Sequence, residues 1–135
     1  MLFRSEQIAD PSDVIYGPIE EVILPPPWHR GRVLLIGDAA HASGPHVAQG
    51  ATMAIEDAVV LAELAGEGLP GETVLTRFMA RRYERCKFVQ DVSRQVGREG
   101  NIDDPAACAE RNARMREMFR DPKPRPHELR MAEPI

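Results

Sequence analysis

The stretch Gly31-Arg32-Val33-Leu34-Leu35-Ile36-Gly37-Asp38-Ala39-Ala40-His41, followed by Pro45 and by Gln49-Gly50-Ala51-Thr52-Met53-Ala54-Ile55-Glu56-Asp57-Ala58, reads as a strand running through a tight loop into a helix N-terminus. Val33 to Gly37 are all apolar or glycine, the pattern of a strand covered on both faces. Small residues fill the loop, which lets a ligand approach the backbone closely. Asp38, at the strand's C-terminal end, is placed to accept hydrogen bonds from sugar-like hydroxyls, and the free amides of the next helix favour partial negative charge.

Downstream, Ile55, Ala58, Val59 and Ala62 share one face of the helix that starts near Gly50, a face predicted to lie on the sheet. Glu56 and Asp57 fall in its early turns, where acids complement the macrodipole. Gly66, Gly68, Pro70 and Gly71 break the chain before a second helix over 73–98, with a stripe of Leu75, Phe78, Met79, Arg82, Tyr83, Cys86, Val89 and Val96. A third helix is predicted from Pro105 to Phe119, and the proline-rich tail from Asp121 to Pro134 reads as irregular. Upstream, Val14 to Leu24 offers one or two short strands, best at Glu20 to Leu24, ended by Pro25-Pro26-Pro27. Trp28 reads as a packed aromatic at a seam. Residues 1–13 show no sustained period, and Asp10 to Asp13 is a turn signal.

The chain has 135 residues, room for one domain with a moderate core, and a formal net charge of −4. Residues 1–72 carry 3 basic and 11 acidic side chains and the remainder 14 and 10, so the basic half invites a nucleic-acid reading. Against it, Arg77, Arg81, Arg82, Arg85 and Lys87 alternate with Glu84 and Asp91 at helical spacing, as on a solvated face. Cys86 and Cys108 lie 22 residues apart and imply neither a zinc site nor a disulfide framework. His41 and His46 stand five apart, off one helical face, and no nearby Asp or Glu makes a ligand cluster with them, so neither is assigned to a metal. Without a signal segment or a membrane-length apolar run, the expectation is a cytoplasmic protein with no nucleic-acid or membrane partner.

From Trp28 to Gly66 the chain resembles the second flavin-binding motif of the FAD-dependent aromatic hydroxylases. The residues that carry the likeness are Gly37-Asp38-Ala39-Ala40-His41, a proline four positions later, the Gln49-Gly50 pair and Ala54-Ile55-Glu56-Asp57-Ala58. The resemblance implies an α/β fold, a partial Rossmann-like FAD-binding fragment of short strands followed by two to three helices. It implies FAD as cofactor, NAD(P)H as reductant and an aromatic or similar small molecule as the substrate that receives an oxygen atom from O2. Gly37 and Asp38 are then cofactor residues, Asp38 on the ribityl chain. Pro45, Gly50, Ala51 and Thr52 correspond to the loop beside the isoalloxazine ring, whose helix amides stabilise the reduced, anionic flavin. His41 becomes a hydrogen-bonding residue behind the loop, and His46 a candidate substrate contact. No catalytic residue is assigned, because the flavin supplies the chemistry. Two positions depart from the common pattern: many relatives have glycine at Ala48 and asparagine at Thr52.

The 135 residues contain no Gly-x-Gly-x-x-Gly after a strand. The expectation is therefore the C-terminal portion of a larger flavoprotein, inactive alone, with its missing N-terminal portion as a partner. Residues 1–24 are read as a remnant of substrate-domain strands, 25–100 as the C-terminal part of the FAD-binding domain, and 101–135 as a C-terminal helix and tail. Two alternatives stand beside this: a non-catalytic fragment that binds a partner through an exposed stripe of helix 73–98, and an FAD-dependent reductase or cyclase of the same fold.

Overall fold

A computed structural model describes residue 8 and residues 10–135. Strands β1 (His29–Arg30) and β2 (Val33–Leu34) form an antiparallel hairpin, with His29 opposite Leu34 and Arg30 opposite Val33. Five helices follow: α1 (Asp38–His41), α2 (Gly50–Gly66), α3 (Gly71–Gly100), α4 (Pro105–Arg120) and α5 (Pro126–Met131). A 3-10 turn at Pro45–Val47 lies between α1 and α2.

The expected strand over Val33 to Gly37 is cut short. Its ladder ends at Leu34; Val33 is 66% exposed, and Leu35 and Ile36 are each 39% exposed. A strand buried on both faces needs strands beside it and helices over it, and among the described residues the only ladder partner is β1. Residues 14–24 carry no ladder either. They run extended, with the amides of Val22 and Leu24 donating to the carbonyls of Ala42 and Ala40, both at 2.9 Å.

The core is a helix-on-helix layer. Helix α2 buries Met53, Val60 and Leu64 beside Glu56 and Asp57, and α3 answers with Val74, Phe78, Met79, Cys86 and Val89. The α2 face predicted to lie on a sheet is uncovered among the described residues, where Ile55 is 65% exposed, Val59 41%, and Ala58 and Ala62 lie in solvent; a different face meets α3. Apolar residues occupy two sides of this helix, and the side that meets α3 is the one carrying the two buried acids. The α3 stripe follows its predicted spacing closely, in a helix two residues longer at each end. It is covered rather than left open, which removes the premise of a partner-binding stripe on this helix.

Trp28 closes one end of the core at 2% exposure, its indole N–H donating to the Leu24 carbonyl at 2.9 Å and its ring 5.1 Å from that of His41. Helix α4 is capped by Asp104, whose carboxylate accepts from the Ala107 amide at 2.7 Å. The tail is not wholly irregular as expected. Pro126 opens α5 at a position where a missing N–H costs nothing, the Glu128 side chain bonds back to the Arg125 amide, and Arg85 Nη2 donates to the Met131 carbonyl at 2.9 Å. Arg130 completes the docking with its guanidinium 4.0 Å above the Phe88 ring. Among the described residues no helix is long and apolar enough to cross a membrane.

Candidate cofactor site

Gly37 ends the extended segment with φ 58° and ψ −144°, a conformation that side chains disfavour, and a Cβ there would sit 3.4 Å from that of Ala54. The backbone then makes the single turn of α1, passes Gly44, and enters the 3-10 turn Pro45–Val47. Ala48 leaves that turn left-handed, at φ 53° and ψ 34°. Alanine at this position thus carries a backbone strain that glycine would not.

Helix α2 starts without a side-chain cap. Its first amide with an acceptor on this pattern is Met53, donating to Gln49 at 2.9 Å, so the amides of Gly50, Ala51 and Thr52 remain to be satisfied from outside the helix. In front of them lies a cleft of about 530 Å³ walled by Asp38, Ser43, Pro45, Ala48, Gly50 and Ala51. The loop thus brings Asp38, Pro45, Gly50 and Ala51 together. Thr52 is exposed outside the lining. Gly37 lies beneath it, and its amide points away from the cleft, to Asp57. His46 is on another surface. Its ring lies over Gly97, where a Cβ would come within 2.5 Å of Nε2, beside a separate concavity bordered by Glu21, Arg94 and Arg98. A larger cavity of about 640 Å³ between α3, α4 and α5, bordered by Val96, Met115 and His127, contains none of the sequence-predicted residues.

One face of α3 holds this loop from behind, through residues 82, 86, 90, 93 and 97 at helical spacing. Arg82, fully buried, donates from Nε to Asp57 Oδ1 at 2.7 Å, from Nη1 to Glu56 Oε2 at 2.6 Å and from Nη2 to the Met53 carbonyl at 3.2 Å. Asp57 Oδ2 accepts the Gly37 amide at 2.9 Å and contacts His41 Nε2 at 2.7 Å. Gln90 donates to the carbonyls of Val22 and Ala42 at 2.8 and 2.9 Å, and Ser93 Oγ to that of Gly44 at 2.6 Å. From the other side, Glu21 accepts the Gly44 amide at 3.1 Å and Arg94 Nε at 2.6 Å.

These contacts correct three sequence readings. Glu56 and Asp57, read as acids that complement a helix start, are buried partners of cations. Arg82, and in part Arg85, leave the solvated face: Arg85 grips Glu56 through two bonds of 2.6 and 2.7 Å. His41 does have an acid beside it, brought from sixteen residues away by the fold.

Burial works against charge on His41, but the Asp57 carboxylate and the Cys86 sulfur outweigh it and push its pKa up to about 9. Burial likewise opposes ionisation of Asp57 and Glu56, yet hydrogen bonds from His41 and Gly37 to the first, and from Arg85 and Arg82 to the second, hold both below the ordinary carboxylate value. His41, Asp57 and Cys86 bring ligand-type atoms within 4.8 Å of one another. With Arg82 on Asp57 and its Nη2 3.6 Å from Cys86 Sγ, a cation is already in place, and the cluster is an ion-pair node.

The sequence itself places this scaffold among known proteins. Residues 22–96 match the family model described as FAD binding domain. The chain belongs to the FAD-dependent aromatic hydroxylase family. YetM of Bacillus subtilis (strain 168), which carries the name FAD-dependent monooxygenase, is 42% identical over 105 residues, 78% of this chain and 28% of that protein. The 2-heptyl-3-hydroxy-4(1H)-quinolone synthase of Pseudomonas aeruginosa is 45% identical over 89 residues, 66% of this chain and 23% of the relative. The 6-hydroxynicotinate 3-monooxygenase of Pseudomonas fluorescens is 41% identical over 85 residues, 62% of this chain and 22% of the relative. The chain thus spans between about a fifth and a third of the length of these curated relatives.

The sequence-based reading missed the α3 clamp, whose signal was present. Arg82, Gln90 and Ser93 are polar residues at stripe positions where a simple amphipathic helix would place apolar ones.

Proposed function

We propose that this chain supplies the flavin-contacting loop of an FAD-dependent monooxygenase, acting within a longer polypeptide that completes a Rossmann-type sheet. The observation that carries it is the convergence, on one cleft walled by small residues, of the Asp38 carboxylate with a helix start whose amides have no side-chain cap. These groups fit the cofactor: a carboxylate suits a polyol chain, and uncapped amides suit a flat ring that takes up negative charge on reduction. Relatives named monooxygenases and hydroxylases support the reading.

FAD, when bound, accepts a hydride from NAD(P)H and activates O2 for transfer of one oxygen atom to an aromatic or similar small molecule. The chain's residues bind and orient. Asp38 would accept hydrogen bonds from hydroxyls of the ribityl chain. The amides of Gly50 and Ala51 would hold the flavin ring, fixed before reduction and so free of reorganisation cost. Pro45 stiffens the loop beside the ring, and with Ala48 it offers an apolar wall that helps exclude water. The uncovered apolar surface formed by Leu35, Ile36, Ile55 and Val59 is where the rest of the sheet and the N-terminal portion would lie.

The test uses the full polypeptide encoded by the reading frame containing these residues. It should purify yellow and consume NADH or NADPH when offered hydroxylated aromatic acids, and Asp38→Ala should weaken FAD binding. A colourless wild-type protein that takes up no FAD on titration refutes the proposal.

A further inference from the structure

We propose that Asp57 is a positioning residue for Asp38, holding the turn that presents the Asp38 carboxylate to the cofactor; this rests on the FAD reading above. Asp57 is fully buried and divides its two oxygens between two tasks. Oδ1 takes the Arg82 guanidinium at 2.7 Å, which ties it to α3. Oδ2 takes the Gly37 amide at 2.9 Å and His41 Nε2 at 2.7 Å, the two ends of the turn that contains Asp38. That turn is closed on itself, since the amides of Ala40 and His41 both donate to the Gly37 carbonyl at 2.9 Å. Asp38 is exposed, and no hydrogen bond to its own side chain orients it among the described residues. Its aim is therefore set by the backbone on either side, and both anchors of that backbone meet on one Asp57 oxygen.

An amide cannot replace this carboxylate. Arg82, Gly37 and His41 all donate, so in Asp57→Asn the NH2 group faces a donor whichever way it turns, and either α3 or the turn loses its acceptor. Asp57→Glu keeps the charge and its reach to Arg82, but one extra methylene in a packed site displaces Oδ2 from the Gly37 amide.

The experiment compares wild type, Asp57→Asn, Asp57→Glu and the control Val60→Ala in the full polypeptide of that reading frame. Val60 is fully buried on the same helix and is part of the core cluster. FAD affinity is read by quenching of flavin fluorescence, and anchoring by hydrogen exchange of the Gly37 amide in the FAD-free protein. Both Asp57 variants should bind FAD about tenfold or more weakly, on the scale that small misplacement of a binding group costs, and Gly37 exchange should accelerate. Val60→Ala should lose stability while keeping FAD affinity within about twofold, because its buried methyls make none of the hydrogen bonds that hold the turn. If Asp57→Asn does not fold, Asp57→Glu decides. An FAD-binding wild type whose Asp57 variants bind equally well, or lose no more than Val60→Ala does, overturns this inference alone. A wild type that binds no FAD overturns the functional reading and takes this inference with it.

Discussion

Replacing Arg82 with methionine removes a buried cation and leaves a side chain of similar length. In the native structure its guanidinium faces two carboxylates, at 2.7 Å to Asp57 and 2.6 Å to Glu56, with no exposure of its own side chain. Breaking a buried pair from one side costs about 3–5 kcal/mol, because the partner keeps its desolvation penalty. Neither carboxylate is stranded completely: Asp57 retains Gly37 and His41, and Glu56 retains Arg85. The expected loss is therefore near the lower bound, about 3 kcal/mol, a large share of a total stability of roughly 5–15 kcal/mol. Unfolding entropy scales with length, so for 135 residues this lowers Tm by roughly 10 °C. Urea titration followed by circular dichroism measures it directly. Arg81→Met is the control: its pair with Glu63, 2.9 Å long and on the surface, should contribute less than about 1 kcal/mol. An Arg82→Met protein that loses no more stability than Arg81→Met refutes the argument that the node is a coupled, buried ion network.

Stability should also depend on pH through His41. Its folded pKa of about 9 lies above the unfolded 6.5, so the stabilisation is fully present below pH 6.5, declines between 6.5 and 9 and is gone above. The span corresponds to about 3 kcal/mol, and a His41→Gln protein should show a flatter alkaline limb in a series of urea titrations. Asp57 and Glu56, depressed in the fold, act oppositely: their contribution holds above the ordinary carboxylate range and disappears on acidification through their folded values. Ala48→Gly relieves a left-handed backbone at φ 53° and should raise stability by roughly 0.5–1 kcal/mol; a destabilised variant would contradict the strain assigned there. Gly97→Ala should push the His46 ring off α3, visible as a shift of its imidazole resonances, with little change in Tm because alanine is the better helix former.

Much of this architecture was legible in residue order. The α3 stripe, the glycine and proline breaks that separate the long helices, and the clustering of Asp38, Pro45, Gly50 and Ala51 followed from spacing and from the motif. Which side of α2 meets α3 did not, because Ile55 and Val59 are as apolar as Val60 and Leu64, and the Arg82 pairing with Glu56 and Asp57 lies on the side of the latter two. The strand at Val33 to Gly37 was overextended for a related reason: its apolar run reports a sheet that two-residue β1 alone does not build. Charges near one another in sequence favoured a solvated reading for Arg82, and position in the first turns favoured a macrodipole role for Glu56 and Asp57. Their pairing spans 25 and 26 residues and is set by how the two helices dock.

The hydrogen bond between Arg85 and the Met131 carbonyl connects the far end of the chain to the ligand-facing loop. From that carbonyl the contacts run through Arg85, Glu56, Arg82 and Asp57 to the Gly37 amide. A stop codon placed before α5 would sever the first of these links some 90 positions away from the residue it ultimately steadies. Expression work should accordingly keep the last fifteen residues intact and place affinity tags at the opposite terminus.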